Sequence, residues 1–318
     1  MVVFVSCPLP GDAVERLRND HVLVVGEDHV GVRGEAFARG APAFEAIVSV
    51  VTDRIDGALL ARTPRVRIVA NVAVGYDNID VAACTERGVV VTNTPGVLTD
   101  ATADLAFGLL LAAARRVAEG DRLVRRGEFT GWTPSFLLGA RVHGAALGLV
   151  GLGRIGQAMA RRARGFGMRV SYAARTRTSP DVERALGATH VPLDDLFRSA
   201  DFVSLHCPLT PETRHLVNAE RLVHMKAGAV LINTARGACV DEAALAAALH
   251  AGRLAAAALD VFEDEPRIHP DLLALENVVL APHIGSADRP TRVAMASMAV
   301  DNVLAVLGGR PPLHAIKV

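Results

Sequence analysis

Gly151-Leu152-Gly153-Arg154-Ile155-Gly156 is the stretch that decides how this chain folds. The run Ala145-Ala146-Leu147-Gly148-Leu149-Val150 leads into it and reads as a strand, and Gln157 to Gly165 continues it as a helix. At this spacing Gly151 permits a tight turn, Gly153 lets backbone approach a pyrophosphate, and Gly156 allows close packing of helix on strand. The amides at the helix start face negative charge. A glycine turn without a ligand is the competing reading, and strand, turn and helix together favour a bound dinucleotide.

Outward from this loop, short apolar runs alternate with helical patterns. Val2 to Ser6, Val22 to Val25, Ile47 to Val51, Arg67 to Ala70 and Val89 to Thr92 read as strands of a first α/β unit. Asn93-Thr94-Pro95-Gly96 breaks that pattern. A long helix from Thr99 to Arg116 follows, with Thr99 expected as N-cap and Asp100 and Asp104 near the positive end of its dipole. Leu105 to Ala114 is apolar almost all round, which suits burial between domains or subunits and points to a homodimer. Further strands are expected at Arg169 to Ala173, Asp201 to His206, Ala229 to Thr234, Ala256 to Phe262 and Asn277 to Ala281, before a final helix at about Thr291 to Leu307 that returns to the first unit. The expected fold is therefore α/β, with two Rossmann-like domains built on parallel sheets and a discontinuous first domain. Residues 1–96 with 287–318 form a substrate-binding domain, and 97–286 form the dinucleotide-binding domain.

Composition narrows the partners. The 318 residues carry 34 basic and 34 acidic side chains and are 51% hydrophobic, enough for two cores and without the basic surplus that nucleic acid or an anionic membrane would need. Cys7, Cys84, Cys207 and Cys239 are widely spaced and form no CxxC pair, so no metal site or disulfide framework is expected. Met1 to Val5 is apolar but lacks a basic start and ends at Pro8, Pro10 and Gly11, which predicts a cytoplasmic protein without a membrane segment.

In open α/β sheets ligands bind beyond the carboxyl ends of strands. Arg236, Glu265 and His283 each follow a predicted strand there and are expected to face the same crevice as the glycine loop. Each alone reads as an ordinary charge. Together beside a dinucleotide they supply a carboxylate clamp, an orienting acid and an acid/base.

Asn71-Val72-Ala73-Val74-Gly75-Tyr76-Asp77-Asn78-Ile79-Asp80, Asn93 to Thr99, the glycine loop, His206-Cys207-Pro208-Leu209-Thr210, Asn233-Thr234-Ala235-Arg236-Gly237 and His283-Ile284-Gly285-Ser286 together resemble the D-isomer-specific 2-hydroxyacid dehydrogenase family, in its glyoxylate and hydroxypyruvate reductase branch. The resemblance covers most of the chain. It implies hydride transfer from a nicotinamide to a small 2-oxoacid, with Arg236, Glu265 and His283 as the active-site residues. His283 would be the general acid, Glu265 would orient it, and Glu263 and Asp264 would be solvated. Arg236 would bind the substrate carboxylate and keto oxygen, and backbone amides around Val74-Gly75 would form a second carboxylate contact. Cofactor contacts carried over by motif are Thr102, Arg154, Ile155, Cys207, Pro208, Thr234, Ala235 and Asp260, the last toward the nicotinamide carboxamide.

An acid about 20 residues past the glycines ordinarily binds the ribose 2′-hydroxyl of NAD. Here Ala173-Ala174-Arg175-Thr176-Arg177 ends the corresponding strand. Guanidinium groups pair with a 2′-phosphate, so NADP is the expected preference with NAD as the alternative. Trp132 reads either as a wall of a partner's substrate mouth or as an interface anchor. Competing activities are phosphoglycerate or phosphite dehydrogenation and a corepressor-like nicotinamide sensor. A formate dehydrogenase carries glutamine where this chain has Glu265. After Ala287 the sequence Asp288-Arg289-Pro290 departs from the family pattern and leaves the local substrate wall open.

Overall fold

The computed structural model describes residues 1–316. The chain divides into two compact units, Met1–Leu98 joined by the segment from Ser286 onward, and Thr99–Gly285.

The first unit holds a sheet of β1 (Val2–Val5), β2 (Val22–Val25), β3 (Phe44–Ser49), β4 (Ile68–Asn71) and β5 (Val90–Thr92). All pairings are parallel, in the order β2-β1-β3-β4-β5. The inner strands β1, β3 and β4 are covered on both faces and so read as near-continuous apolar runs, whereas the edge strand β2 leaves Val22 and Val25 exposed. Phe4, Ile47 and Val69 pack one face with Phe37 and Phe44. Val3, Val48 and Ala70 pack the other against Ala299, Val300 and Val303 of the helix Arg289–Leu307.

The second unit holds β6 (Ala146–Val150), β7 (Arg169–Ala173), β8 (Ala188–His190), β9 (Phe202–Leu205), β10 (Val230–Asn233), β11 (Ala256–Leu259) and β12 (Val278–Leu280). Their order is β12-β11-β10-β9-β6-β7-β8, all parallel. Read from β8, this is the doubly wound dinucleotide-binding order with an added outer strand, and the order reverses between β6 and β9. The helix Thr99–Ala114 covers one face of the sheet, where Ala106, Phe107 and Leu110 share a core with Leu147, Leu149 and Ile232. The expected apolar helix is thus a core helix of this unit.

Several boundaries differ from the sequence reading for local reasons. Thr99 is the first helical residue and not the N-cap. The last helix starts at Arg289, two residues earlier than expected, because the Asp288 carboxylate accepts from the Thr291 amide at 2.7 Å with Pro290 in its first turn. Strand β8 is three residues long and bears Thr189 and His190, too short for a hydrophobic period. Among the described residues no helix is long and apolar enough to cross a membrane.

Candidate active site

The site in the second unit begins at the reversal of strand order. Gly151 has φ +97°, and a Cβ there would lie 2.7 Å from the His206 carbonyl oxygen, so the turn after β6 presses directly on the end of β9. A Cβ at Gly156 would meet the Gly151 oxygen at 2.3 Å, whereas at Gly153 it would meet nothing within 4 Å. Two glycines thus permit close packing and the third leaves an open approach to the start of the helix Arg154–Gly165, whose N-cap Gly153 makes no side-chain capping bond. The amides there remain available to an anion. Arg154 is exposed and Ile155 half-buried at that opening.

Behind the turn, His206 hydrogen bonds through Nε2 with Ser204 Oγ at 2.9 Å, and burial pushes its imidazole down to about 4. It is neutral at ordinary pH and brings packing without charge. The next residue, Cys207, is half-buried and its thiol is pushed far up, first by a hydrogen bond with Cys239 and then by burial. Pro208 is exposed, with its carbonyl accepting from Thr213 Oγ1 at 2.7 Å.

The ends of β10, β11 and β12 carry the ionisable residues. Asn233 closes β10, donating from Nδ2 to the Arg236 carbonyl at 2.8 Å and accepting at Oδ1 from the Ala235 amide at 3.0 Å. This side chain ties down the turn that presents Arg236, whose Nη1 donates to the Ala235 carbonyl at 2.7 Å. A Cβ on Gly237 would sit 1.8 Å from the Phe262 carbonyl carbon. Only glycine lets the Arg236 loop lie on the Phe262 to Glu265 loop, and the Arg236 charge there helps lower the Glu265 carboxyl.

Glu265 Oε2 pairs with His283 Nδ1 at 2.8 Å, and Glu265 Oε1 accepts from the Phe262 amide at 3.0 Å. Burial alone would raise this carboxyl, but the His283 hydrogen bond and charge, the Phe262 amide and Arg236 together hold it below its ordinary value. With Nδ1 occupied by Glu265, Nε2 is the ring nitrogen left to exchange a proton.

His283 has φ +54°, a left-handed backbone that a non-glycine residue adopts only when held. Asp260, the residue after β11, holds it. Its carbonyl accepts from the His283 amide at 2.8 Å, and its two carboxylate oxygens accept from the amides of Ile284 at 2.7 Å and Gly285 at 2.8 Å. Burial raises the Asp260 carboxyl against those bonds. Thr102 is buried beside the same segment, 3.5 Å from where a Cβ on Gly285 would stand. The structure therefore brings Asp260, Glu265, His283 and Thr102 together with Arg236, and shows Asp260 committed first to the His283 loop.

Among the described residues Thr234 Oγ1 is buried without a hydrogen-bond partner, while Ala235 beside it is half-buried. An orphaned hydroxyl one residue past β10, an open glycine-flanked helix start and a turn pressed on β9 fit a nicotinamide dinucleotide.

At the end of β7 the two arginines differ. Arg177 forms a two-pronged ion pair with Glu183, Nε and Nη2 each at 2.8 Å from a carboxylate oxygen, and Tyr172 donates its hydroxyl to the same carboxylate at 2.7 Å. The pair holds the Glu183 carboxyl down at about 2. Arg175 and Thr176 are exposed, and among the described residues Arg175 makes no such two-pronged pair, its charge helping to lower the Glu212 carboxyl. Glu263 also departs from expectation: instead of being simply solvated it accepts from His215 Nε2 at 2.6 Å and Arg214 Nη2 at 3.0 Å. Asp264 pairs with Arg267 at the surface.

In the first unit, Val74 and Gly75 lie half-buried in the loop after β4. Sequence reading missed what holds these loops. Asn71 ends β4, Asn93 follows β5 and Asn233 ends β10, and each spends its amide on the backbone of a nearby turn. The signal was an asparagine at a strand end just before a functional loop.

Residues 107–285 match the family described as D-isomer specific 2-hydroxyacid dehydrogenase, NAD binding domain. The chain belongs to the D-isomer-specific 2-hydroxyacid dehydrogenase family. It is 48% identical to a glyoxylate reductase of Thermococcus onnurineus over 314 residues, covering 98% of this chain and 94% of that protein. Among solved structures, a Thermus thermophilus protein superposes with a TM-score of 0.92 at 48% identity, covering 100% of both chains. The NADPH-dependent glyoxylate/hydroxypyruvate reductase of Sinorhizobium meliloti, solved with NADP and malonate, superposes with a TM-score of 0.88 at 36% identity, covering 99% of this chain and 96% of that one. This D-2-hydroxyacid dehydrogenase is accordingly an NAD(P)-dependent oxidoreductase.

Proposed function

We propose that the chain reduces glyoxylate, hydroxypyruvate or a similarly small 2-oxoacid to the D-2-hydroxyacid, with NADPH as the preferred reductant. The observation that carries this reading is the His283 Nδ1 to Glu265 Oε2 bond of 2.8 Å beside the Arg236 turn. The names of the Thermococcus and Sinorhizobium relatives support it. When bound, the nicotinamide supplies a hydride to the keto carbon. Glu265 holds the imidazole by Nδ1 and fixes its orientation, so that Nε2 delivers a proton to the developing alkoxide. Arg236 binds carboxylate and keto oxygen with its planar fork, and backbone amides around Val74 and Gly75 add a second carboxylate contact. Gly151, Gly153, Arg154, Ile155 and Gly156 receive the pyrophosphate, and Cys207, Pro208, Thr234, Ala235, Asp260 and Thr102 line the remainder of the dinucleotide.

Glu265→Gln tests the orienting acid. The amide can still accept from Nδ1 but no longer brings the carboxylate charge to that bond. The pH range of activity should narrow rather than activity vanish, while an unaltered pH profile would remove Glu265 from the proton pathway.

NADPH preference is supported by the absence of an acid in Ala173-Ala174-Arg175-Thr176-Arg177 and by the exposed Arg175. Steady-state kcat/KM for glyoxylate, hydroxypyruvate and pyruvate, each with NADPH and NADH, decides cofactor and substrate class together. Arg175→Ala should raise the KM for NADPH about tenfold and leave that for NADH unchanged, the loss of roughly one charge-assisted contact. Equal or better use of NADH by the unaltered chain overturns the preference.

A homodimer is proposed on the exposed apolar side chains of the 117–138 region. Val117, Val124, Phe129 and Leu138 are each more than half exposed and Trp132 is 77% exposed, an uncommon density for a free surface. A single-chain mass in sedimentation would argue against it.

A further inference from the structure

The loop after β4 presents three successive peptide groups whose carbonyls are all anchored. The Ala73 carbonyl accepts from the Thr94 amide at 2.9 Å, the Val74 carbonyl from Asn93 Nδ2 at 2.7 Å, and the Gly75 carbonyl from Asn71 Nδ2 at 3.0 Å. A trans peptide is planar, and its N–H points opposite to its C=O. Fixing those carbonyls therefore fixes the N–H groups of Val74, Gly75 and Tyr76, each directed away from its anchor. Among the described residues none accepts from these three amides. Unpaired main-chain donors survive only where water or a ligand satisfies them, and Val74 and Gly75 are half-buried while Tyr76 is 43% exposed.

The anchors are themselves braced. Asn71 is fully buried, and its Oδ1 accepts from Ser49 Oγ at 3.0 Å while its Nδ2 also reaches Asn78 Oδ1 at 3.1 Å. Asn78 in turn donates to the carbonyls of Val50 at 3.2 Å and Asp53 at 2.8 Å. The loop is thus held by a chain of amides that runs back to the end of β3, and its donor direction depends on side chains rather than on the turn alone.

We propose that Asn71 and Asn93 are positioning residues that convert the 74–76 segment into a carboxylate receptor, by holding its carbonyls inward so that its amides face an incoming anion. The proposal rests on the 2-oxoacid reading above. Backbone donors suit this task because they carry no titrating charge, and a carboxylate accepting them makes hydrogen bonds of the stronger, charge-assisted kind. The cost of aligning them is met when the chain folds rather than when substrate binds.

The experiment is amide NMR of the full chain titrated with oxalate, a carboxylate ligand with no ketone to reduce, beside steady-state kinetics. In the unaltered chain the amide resonances of Val74, Gly75 and Tyr76 should shift on saturation. If they do not, the carboxylate reading of this loop fails and the positioning role falls with it. Asn93→Ala and the near-isosteric, donor-free Asn93→Leu should each weaken oxalate binding and raise the 2-oxoacid KM about tenfold, as expected when one charge-assisted hydrogen bond loses its aim. NADPH affinity, kcat and Tm should change little. If the three resonances shift normally in the unaltered chain but both variants bind oxalate with unchanged affinity, the receptor stands and the positioning role of Asn93 is overturned. An affinity loss in Asn93→Ala that Asn93→Leu restores would mark a packing role instead and overturn it equally.

Discussion

His283→Ala is expected to lower 2-oxoacid reduction by about 10²–10⁴-fold, the usual worth of a positioned general acid, while the chain still binds its nicotinamide. The loss should fall on kcat as well as kcat/KM, because the proton is delivered only as negative charge grows on the substrate oxygen. The side chain stands on a loop whose backbone is held by Asp260 through the amides of His283, Ile284 and Gly285. Removing the ring leaves those bonds in place, so folding and cofactor affinity should persist. Fluorescence titration with NADPH beside a turnover assay separates the two effects, and unchanged turnover would sink the assignment.

Arg236→Ala is expected to lower kcat/KM by about 10²–10⁴-fold, since a guanidinium fork makes two charge-assisted hydrogen bonds at once. Arg236→Lys should recover little, because an ammonium cannot reproduce the planar pair of donors. Asn233 and Gly237 position the turn through the backbone and not through the arginine side chain, so NADPH binding should be retained. The kinetic pattern distinguishes this variant from the histidine one: an arginine that clamps the ground state raises the 2-oxoacid KM steeply, whereas the proton donor leaves KM near its starting value. Wild-type turnover in purified Arg236→Ala would remove the clamp from the mechanism.

The parallel sheets and the glycine loop were legible because each rests on a local rule. Fully apolar runs mark strands covered on both faces, and the roles of Gly151, Gly153 and Gly156 follow from where a Cβ would clash or find open space. Arg236, Glu265 and His283 were legible as strand-end residues, and the 2.8 Å bond between the last two shows how the fold uses two neighbouring strand ends. What sequence could not show was pairing across distance. Nothing near Arg177 announces that Glu183 will occupy it and take the Tyr172 hydroxyl as well. Nor does Glu263 in its acidic run reveal His215 and Arg214, nearly fifty positions earlier. Asp260 read from the sequence as a contact toward the nicotinamide carboxamide, and only the geometry shows both its oxygens on the backbone of the His283 loop.

The pairing of Arg177 with Glu183 also makes the two arginines after β7 unequal starting points for any redesign of cofactor choice. Arg175 can be exchanged at the surface with little consequence for the core. Arg177 cannot, because its removal takes the ion-pair partner from the Glu183 carboxylate, which also accepts from the hydroxyl of Tyr172, a fully buried ring of the core. On the proposed reading of these arginines, variation at Arg175 would bear on cofactor choice without loosening the scaffold, whereas variation at Arg177 would have to answer to both. Selection, natural or directed, therefore has one adjustable dial here and one that is geared to stability.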